Sequence, residues 1–99
     1  MIHKSDILVI GGGIAGMSYA LRVANSGKYK VTLVCKTKLN EANTTKAQGG
    51  IASVTNLLVD NFEKHIADTM VAGDFISDHC AVEHVVRNAP EAITDLVNW

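Results

Sequence analysis

The chain has 99 residues, 47% of them hydrophobic, and nine Lys/Arg against ten Asp/Glu give a formal net charge of −1. Such a composition suits a globular core, and the charge gives no general attraction for nucleic acid or an anionic membrane. No apolar run approaches the ~20 residues needed to cross a bilayer. The opening stretch Met1-Ile-His-Lys-Ser-Asp6 leads straight into an apolar run and leaves no room for a signal peptide, so a cytoplasmic protein is expected. Cys35 and Cys80 form no C-x-x-C motif, which gives no support to a redox pair or zinc site and predicts reduced, largely buried thiols.

Residues 7–10 are continuously apolar, as in a central parallel strand covered on both faces, with Asp6 facing solvent just ahead. Gly11, Gly13 and Gly16 follow in the G-x-G-x-x-G spacing, and each glycine has its own task. Gly11 lets the chain turn sharply out of the strand. Gly13 lets the backbone approach a pyrophosphate, and Gly16 lets the next helix pack closely on the strand. The free N–H groups and positive dipole end of that helix favour an anion. From Ile14 the spacing predicts a helix with an apolar face of Ile14, Met17, Leu21 and Ala24, stopped at Gly27. Val31–Cys35 reads as a second strand, which makes a right-handed βαβ unit.

A plain dinucleotide fingerprint would place Asp or Glu after the second strand to bind a ribose hydroxyl, whereas Cys35-Lys36 stands here. Lys36 could meet a phosphate or sugar oxygen; most lysines in that place are simply solvated. Residues 39–50 read as a long polar loop, in which Asn43, Thr44, Thr45 and Gln48 supply hydrogen-bonding side chains. Gly49 and Gly50 permit close backbone approach or positive φ. Loops of this length inside a compact domain are usually functional.

Residues 51–54 form a short apolar strand or buried connector. Asp60 and Glu63 predict a capping box for a helix with the stripe Phe62, Ile66 and Met70, ended by Gly73 and with His65 on its solvated face. Ser77 or Asp78 caps the next helix, with Val82, Val85 and Val86 as its core face. His79 and His84 lie five apart, which does not put two ligands on one face, so no metal site is expected. Pro90 is placed in the first turn of a last helix carrying Ile93, Leu96 and Val97. The chain stops at Trp99 inside that pattern, with fewer strands than a complete dinucleotide-binding sheet, so an N-terminal piece of a longer protein is expected.

Four stretches together resemble one superfamily: Ile10-Gly-Gly-Gly-Ile-Ala-Gly16, Asn43-Thr-Thr-Lys-Ala-Gln-Gly-Gly-Ile-Ala52, residues 60–73 and Asn88-Ala-Pro-Glu-Ala92. They are similar to the FAD-binding start of the succinate dehydrogenase and fumarate reductase flavoproteins, and within these to the L-aspartate oxidase family. The resemblance implies an α/β fold, the N-terminal βαβ part of a Rossmann-like FAD-binding domain followed by helices. Residues 1–99 would then be the first part of that domain, without its remainder or the substrate-capping domain.

By the same resemblance Gly11, Gly12, Gly13, Ile14, Ala15 and Gly16 form the turn that cradles the FAD pyrophosphate, and Lys36 lies by the adenosine. Asn43, Thr44, Thr45, Lys46, Ala47, Gln48, Gly49 and Gly50 would wrap the flavin side. Membrane-bound relatives carry a flavin-linked histidine where Asn43 stands. An amide cannot serve as that nucleophile, so FAD should be held non-covalently. The implied reaction is oxidation of L-aspartate to iminoaspartate with oxygen or fumarate as acceptor, the first step of quinolinate and NAD synthesis. Quinolinate synthase is then a candidate partner, and neither nucleic acid nor membrane is expected as one. No catalytic residue is assigned among these 99, because Arg22, Arg87, His65, His79 and His84 match none of the family's substrate-binding set. Two other readings stay open: a fumarate reductase or succinate dehydrogenase-like subunit, and a non-catalytic dinucleotide-binding module.

Overall fold

The computed structural model describes residues 2–99. They are mixed helix and strand, and the chain divides into two units, Met1–Gly49 and Gly50–Trp99. The first unit contains strand β1 (Ile7–Ile10), helix α1 (Ile14–Asn25) and strand β2 (Val31–Val34). A 3₁₀ turn (Leu39–Glu41) and the single-turn helix α2 (Asn43–Lys46) follow. The second unit contains α3 (Phe62–Ala72) and α4 (His79–Asn98).

β1 and β2 pair in parallel, Ile7 with Val31 through Ile10 with Val34. Asp6 is exposed as expected, yet it also clamps the start of the ladder. Its backbone N–H donates to the Lys30 carbonyl at 2.9 Å, and its carboxylate accepts from the Lys30 N–H at 2.8 Å. The expectation of a strand covered on both faces is corrected. Val9 is buried, whereas Leu8 and Ile10 are 58% and 81% exposed. Strand side chains alternate between faces, and α1 covers only the face of Val9.

The apolar stripe foreseen on α1 is also corrected. Met17 is half-buried as predicted, whereas Ile14, Leu21 and Ala24 are exposed and Gly16, Ala20 and Val23 are half-buried in their place. The close approach to the strand is made at Gly16, with the larger Met17 and Val23 half-buried beside it. The predicted polar loop is not irregular throughout. It holds two short helical turns separated by an extended Ala42 (φ −74°, ψ 154°). The Glu41 N–H donates to the Lys38 carbonyl, and the Thr45 N–H to that of Ala42, both at 3.0 Å. Both cysteines are free as expected, but exposed rather than buried. Cys35 stands just beyond β2, where its thiol donates to the Thr37 carbonyl at 2.8 Å, and Cys80 stands in the first turn of α4.

In the second unit α3 packs on α4, with Ile66 and Val86 buried between their apolar faces. Phe62, Ile66 and Met70 form the inward stripe of α3 as predicted. The cap lies one residue later than expected. Asn61 is extended (φ −148°, ψ 160°), and its side chain accepts from the Lys64 N–H at 2.7 Å. Asp60 instead accepts from the Asn61 N–H, and Glu63 is released from any capping box to pair with Arg87. Asp78 caps α4 by accepting from the Ala81 N–H at 2.8 Å. Residues 51–54 form no regular element, although Val54 is buried. His65 is half-buried rather than solvated.

Pro90 does not begin a new helix. It lies inside α4, a single helix of 20 residues. An interior proline costs about 3 kcal/mol through a lost N–H and a ring clash, and packing against a neighbour is what offsets it. Ala89, Pro90 and Ile93 are half-buried, which continues the line of Val82 and Val86, while Val85 is 66% exposed and leaves the predicted core face. Leu96 and Val97 are exposed as well. Gly73 caps the end of α3 as expected, and the left-handed residues of the turn are its successors Asp74 (φ 51°) and Phe75 (φ 57°).

Arg87 links the two helices. Its guanidinium donates to Glu83 at 2.8 Å on its own helix and to Glu63 of α3 at 2.9 Å, and it lies 5.5 Å from the centroid of the Phe62 ring. The Arg87 hydrogen bond holds the Glu63 carboxyl below its ordinary value, so the unfolded chain binds its proton more tightly than the folded one. The stabilisation is therefore present above the ordinary carboxylate range and lost as pH falls through the lowered folded value. Glu63→Gln should lower the midpoint of denaturant unfolding slightly at neutral pH and match the wild type in acid. An equal difference at both pH values would contradict it.

Among the described residues no helix is long and apolar enough to cross a membrane, and no group of His, Cys, Asp or Glu is arranged to hold a metal ion.

Candidate functional site

The site forms where β1 hands over to α1. Gly11 leaves the strand with its N–H still donating to the Val34 carbonyl at 2.8 Å, then turns with φ +115°, which side chains disfavour. Gly16 sits one helical turn on. A Cβ there would overlap the Gly11 carbonyl oxygen and lie 3.3 Å from Val9 Cγ1, so α1 rests on the strand because Gly16 has no side chain. Gly12 is buried, and a Cβ on it would lie 3.1 Å from Leu39 Cδ2.

Gly13 differs from these three. It is the N-cap of α1, its backbone is ordinary extended chain (φ −79°, ψ −178°), and the only neighbour a Cβ would meet is Thr44 Oγ1 at 3.6 Å. Neither conformation nor packing within the chain requires glycine there. The open space faces the first turn of α1, where the amides of Ile14, Ala15 and Gly16 have no acceptor inside the helix. No acidic residue stands in that turn to repel an anion. The Ile14 N–H is met from outside, by Thr44 Oγ1 at 3.1 Å.

Beside the turn, at the carboxyl ends of both strands, opens a cavity of about 430 Å³. Ile10, Val34 and Leu39 are among its apolar lining residues, and Lys36 and Lys38 among its charged ones. The volume lies in the range of small-molecule sites, and the C-terminal edge of a parallel sheet is where such folds bind ligands. Lys46 is paired with Glu41 at 3.7 Å.

Of the residues singled out in the sequence, the structure brings together the glycine turn, Lys36 and Thr44. Asn43, Thr45, Lys46, Ala47 and Gln48 are exposed, and Gly49 has φ +121°. Gly50 begins the second unit. Leu39 was not foreseen. It was the one large apolar residue in a polar run, and that isolation was the available signal of a packing contact.

Residues 6–99 match the model of a protein family described as FAD binding domain. The chain is 44% identical over 96 residues to an L-aspartate oxidase of Yersinia pestis, covering 97% of this chain and 17% of that protein. It is 44% identical over 92 residues to a chloroplastic L-aspartate oxidase of Arabidopsis thaliana, covering 93% and 14%. A succinate dehydrogenase flavoprotein subunit of Rickettsia felis is 37% identical over 100 residues, covering 98% and 16%. The chain thus spans less than one-fifth of each of these relatives.

Proposed function

Because the chain belongs to the FAD binding domain family, we propose that its glycine turn and neighbouring cavity hold FAD as the first part of a Rossmann-like domain of an L-aspartate oxidase. The observation that carries the reading is Gly13, where neither backbone conformation nor packing among the described residues calls for a glycine and the space beside it is open. A diphosphate suits that room, because amide N–H groups at a helix start and the absence of acid favour a dianion. Lys36 takes the adenosine side, and an ammonium replaces the usual carboxylate without losing polar contact to sugar or phosphate oxygens. Residues 43–50 take the flavin side. Asn43 offers no imidazole to alkylate, so FAD is held non-covalently and acid precipitation should release it into the supernatant.

When bound, the isoalloxazine supplies hydride acceptance. The residues of this chain bind and orient, and none is assigned to bind or activate substrate. The substrate in this reading is L-aspartate, oxidised to iminoaspartate with oxygen or fumarate as acceptor, at the first step of quinolinate and NAD synthesis. Quinolinate synthase is its proposed consumer partner, and a cytoplasmic location belongs to the same reading. The names of the Yersinia and Arabidopsis relatives support it. The test is anaerobic addition of L-aspartate to the purified full-length gene product, with loss of flavin absorbance expected and recovery on adding fumarate or oxygen.

The Rickettsia relative favours a second reading, a succinate dehydrogenase-like flavoprotein. Flavin that is bleached by succinate and untouched by aspartate would establish it. A colourless full-length protein would point instead to a non-catalytic dinucleotide-binding module.

A further inference from the structure

The geometry points to Thr44 as a positioning residue that braces the cofactor turn through the Ile14 amide. Helices usually take their N-cap bond from Ser, Thr, Asp or Asn at the cap position itself. α1 has Gly13 there and no side-chain cap of its own. Its first amide is instead satisfied from 30 residues away, by Thr44 Oγ1 at 3.1 Å. A serine or threonine at position 13 would place a side chain in the space left open for a ligand. A hydroxyl brought from Thr44 caps the helix with its oxygen 3.6 Å from the Cβ position, while none of its carbon atoms lies within 4 Å of that position.

The bond has a second consequence. Thr44 stands in α2, a single turn closed by the Thr45 N–H donating to the Ala42 carbonyl and the Ala47 N–H to that of Thr44. Leu39, at the start of the preceding 3₁₀ turn, rests on Gly12. Residues 39–46 are therefore fixed to the glycine turn at two points, one apolar and one polar. Ala47, Gln48 and Gly49 leave from that anchored turn. Thr44 thus ties the diphosphate side of the site to the flavin side, and leaves the amides of Ala15 and Gly16 for the ligand. This inference rests on the FAD reading for its consequence, although the brace itself does not.

Thr44→Val keeps the shape and removes the acceptor, while Thr44→Ser keeps the acceptor. Both are to be made in the full-length gene product, with amide hydrogen exchange at Ile14 measured after flavin removal and FAD affinity measured by fluorescence quenching. Valine should speed Ile14 exchange and raise the FAD dissociation constant, each by about five-fold, and serine should restore both to within about two-fold. Unchanged exchange at Ile14 in the valine variant would overturn the brace, whatever FAD does. Faster exchange with unaltered FAD affinity would overturn the positioning role. A wild type that binds no FAD would defeat the functional reading, and the exchange measurement would still decide the brace.

Discussion

Gly13→Val is expected to strip FAD from the full-length gene product while leaving it folded. The chain can accept a Cβ there. The backbone at Gly13 is one any residue adopts, and a Cβ would meet only Thr44 Oγ1 at ordinary contact distance. The helix loses no side-chain cap bond, although valine is less favoured than glycine at an N-cap, and the loss is small beside that of the cofactor. The cofactor loses more. Three carbons would stand where the diphosphate must reach the amides of the first turn, and overfilling a tight contact costs about 1–3 kcal/mol, or about 5- to 150-fold in affinity. The ratio of flavin to protein absorbance reads the loss, and circular dichroism reads the fold. Gly13→Ala should give a milder version of the same pattern. Full flavin content in the valine variant would remove the main support for a nucleotide at this turn.

Gly16→Ala should fail differently, by loosening the fold before it touches the cofactor. One added carbon would overlap the Gly11 carbonyl oxygen and crowd Val9 Cγ1. The first obstacle is backbone, so no rotamer change relieves it, and α1 must move off β1. A cost of about 3 kcal/mol is expected, at the upper end for overpacking. Denaturant unfolding should show a lower midpoint at an unchanged slope, and flavin loss should follow the instability. Two glycines of one motif would then separate into a ligand position and a packing position. Equal stability of Gly16→Ala and wild type would mean that the helix and strand tolerate a wider gap.

The strand, glycine turn, helix and second strand were legible in the sequence, because their signals are local: an apolar run, a fixed glycine spacing and β-branched residues. The face of α1 was not. Periodicity weighs large apolar residues, whereas Gly16 faces the strand because it has no side chain. The α4 helix was split in two at Pro90 because proline's local cost is visible in a sequence, whereas the opposing packing through Val86 and Ile93 is not. Of the candidate site, the glycine turn could be read directly, and Lys36 was singled out by the resemblance rather than by its own surroundings. The docking of Thr44 on Ile14 could not, since nothing local reports a hydrogen bond across 30 residues. The exposure of Leu8 and Ile10 likewise depends on what covers a face, not on the strand's own letters.

The clamp between Asp6 and Lys30 makes the two-strand ladder act as a ruler. Sliding β1 by a single residue would turn Val9 outward and carry the bend at Gly11 along by about 3.3 Å, roughly one strand step. The Gly11 amide would then miss the Val34 carbonyl that now receives it. An acid five residues upstream, about 16 Å away at about 3.3 Å per residue of strand rise, would thereby govern where the bend falls.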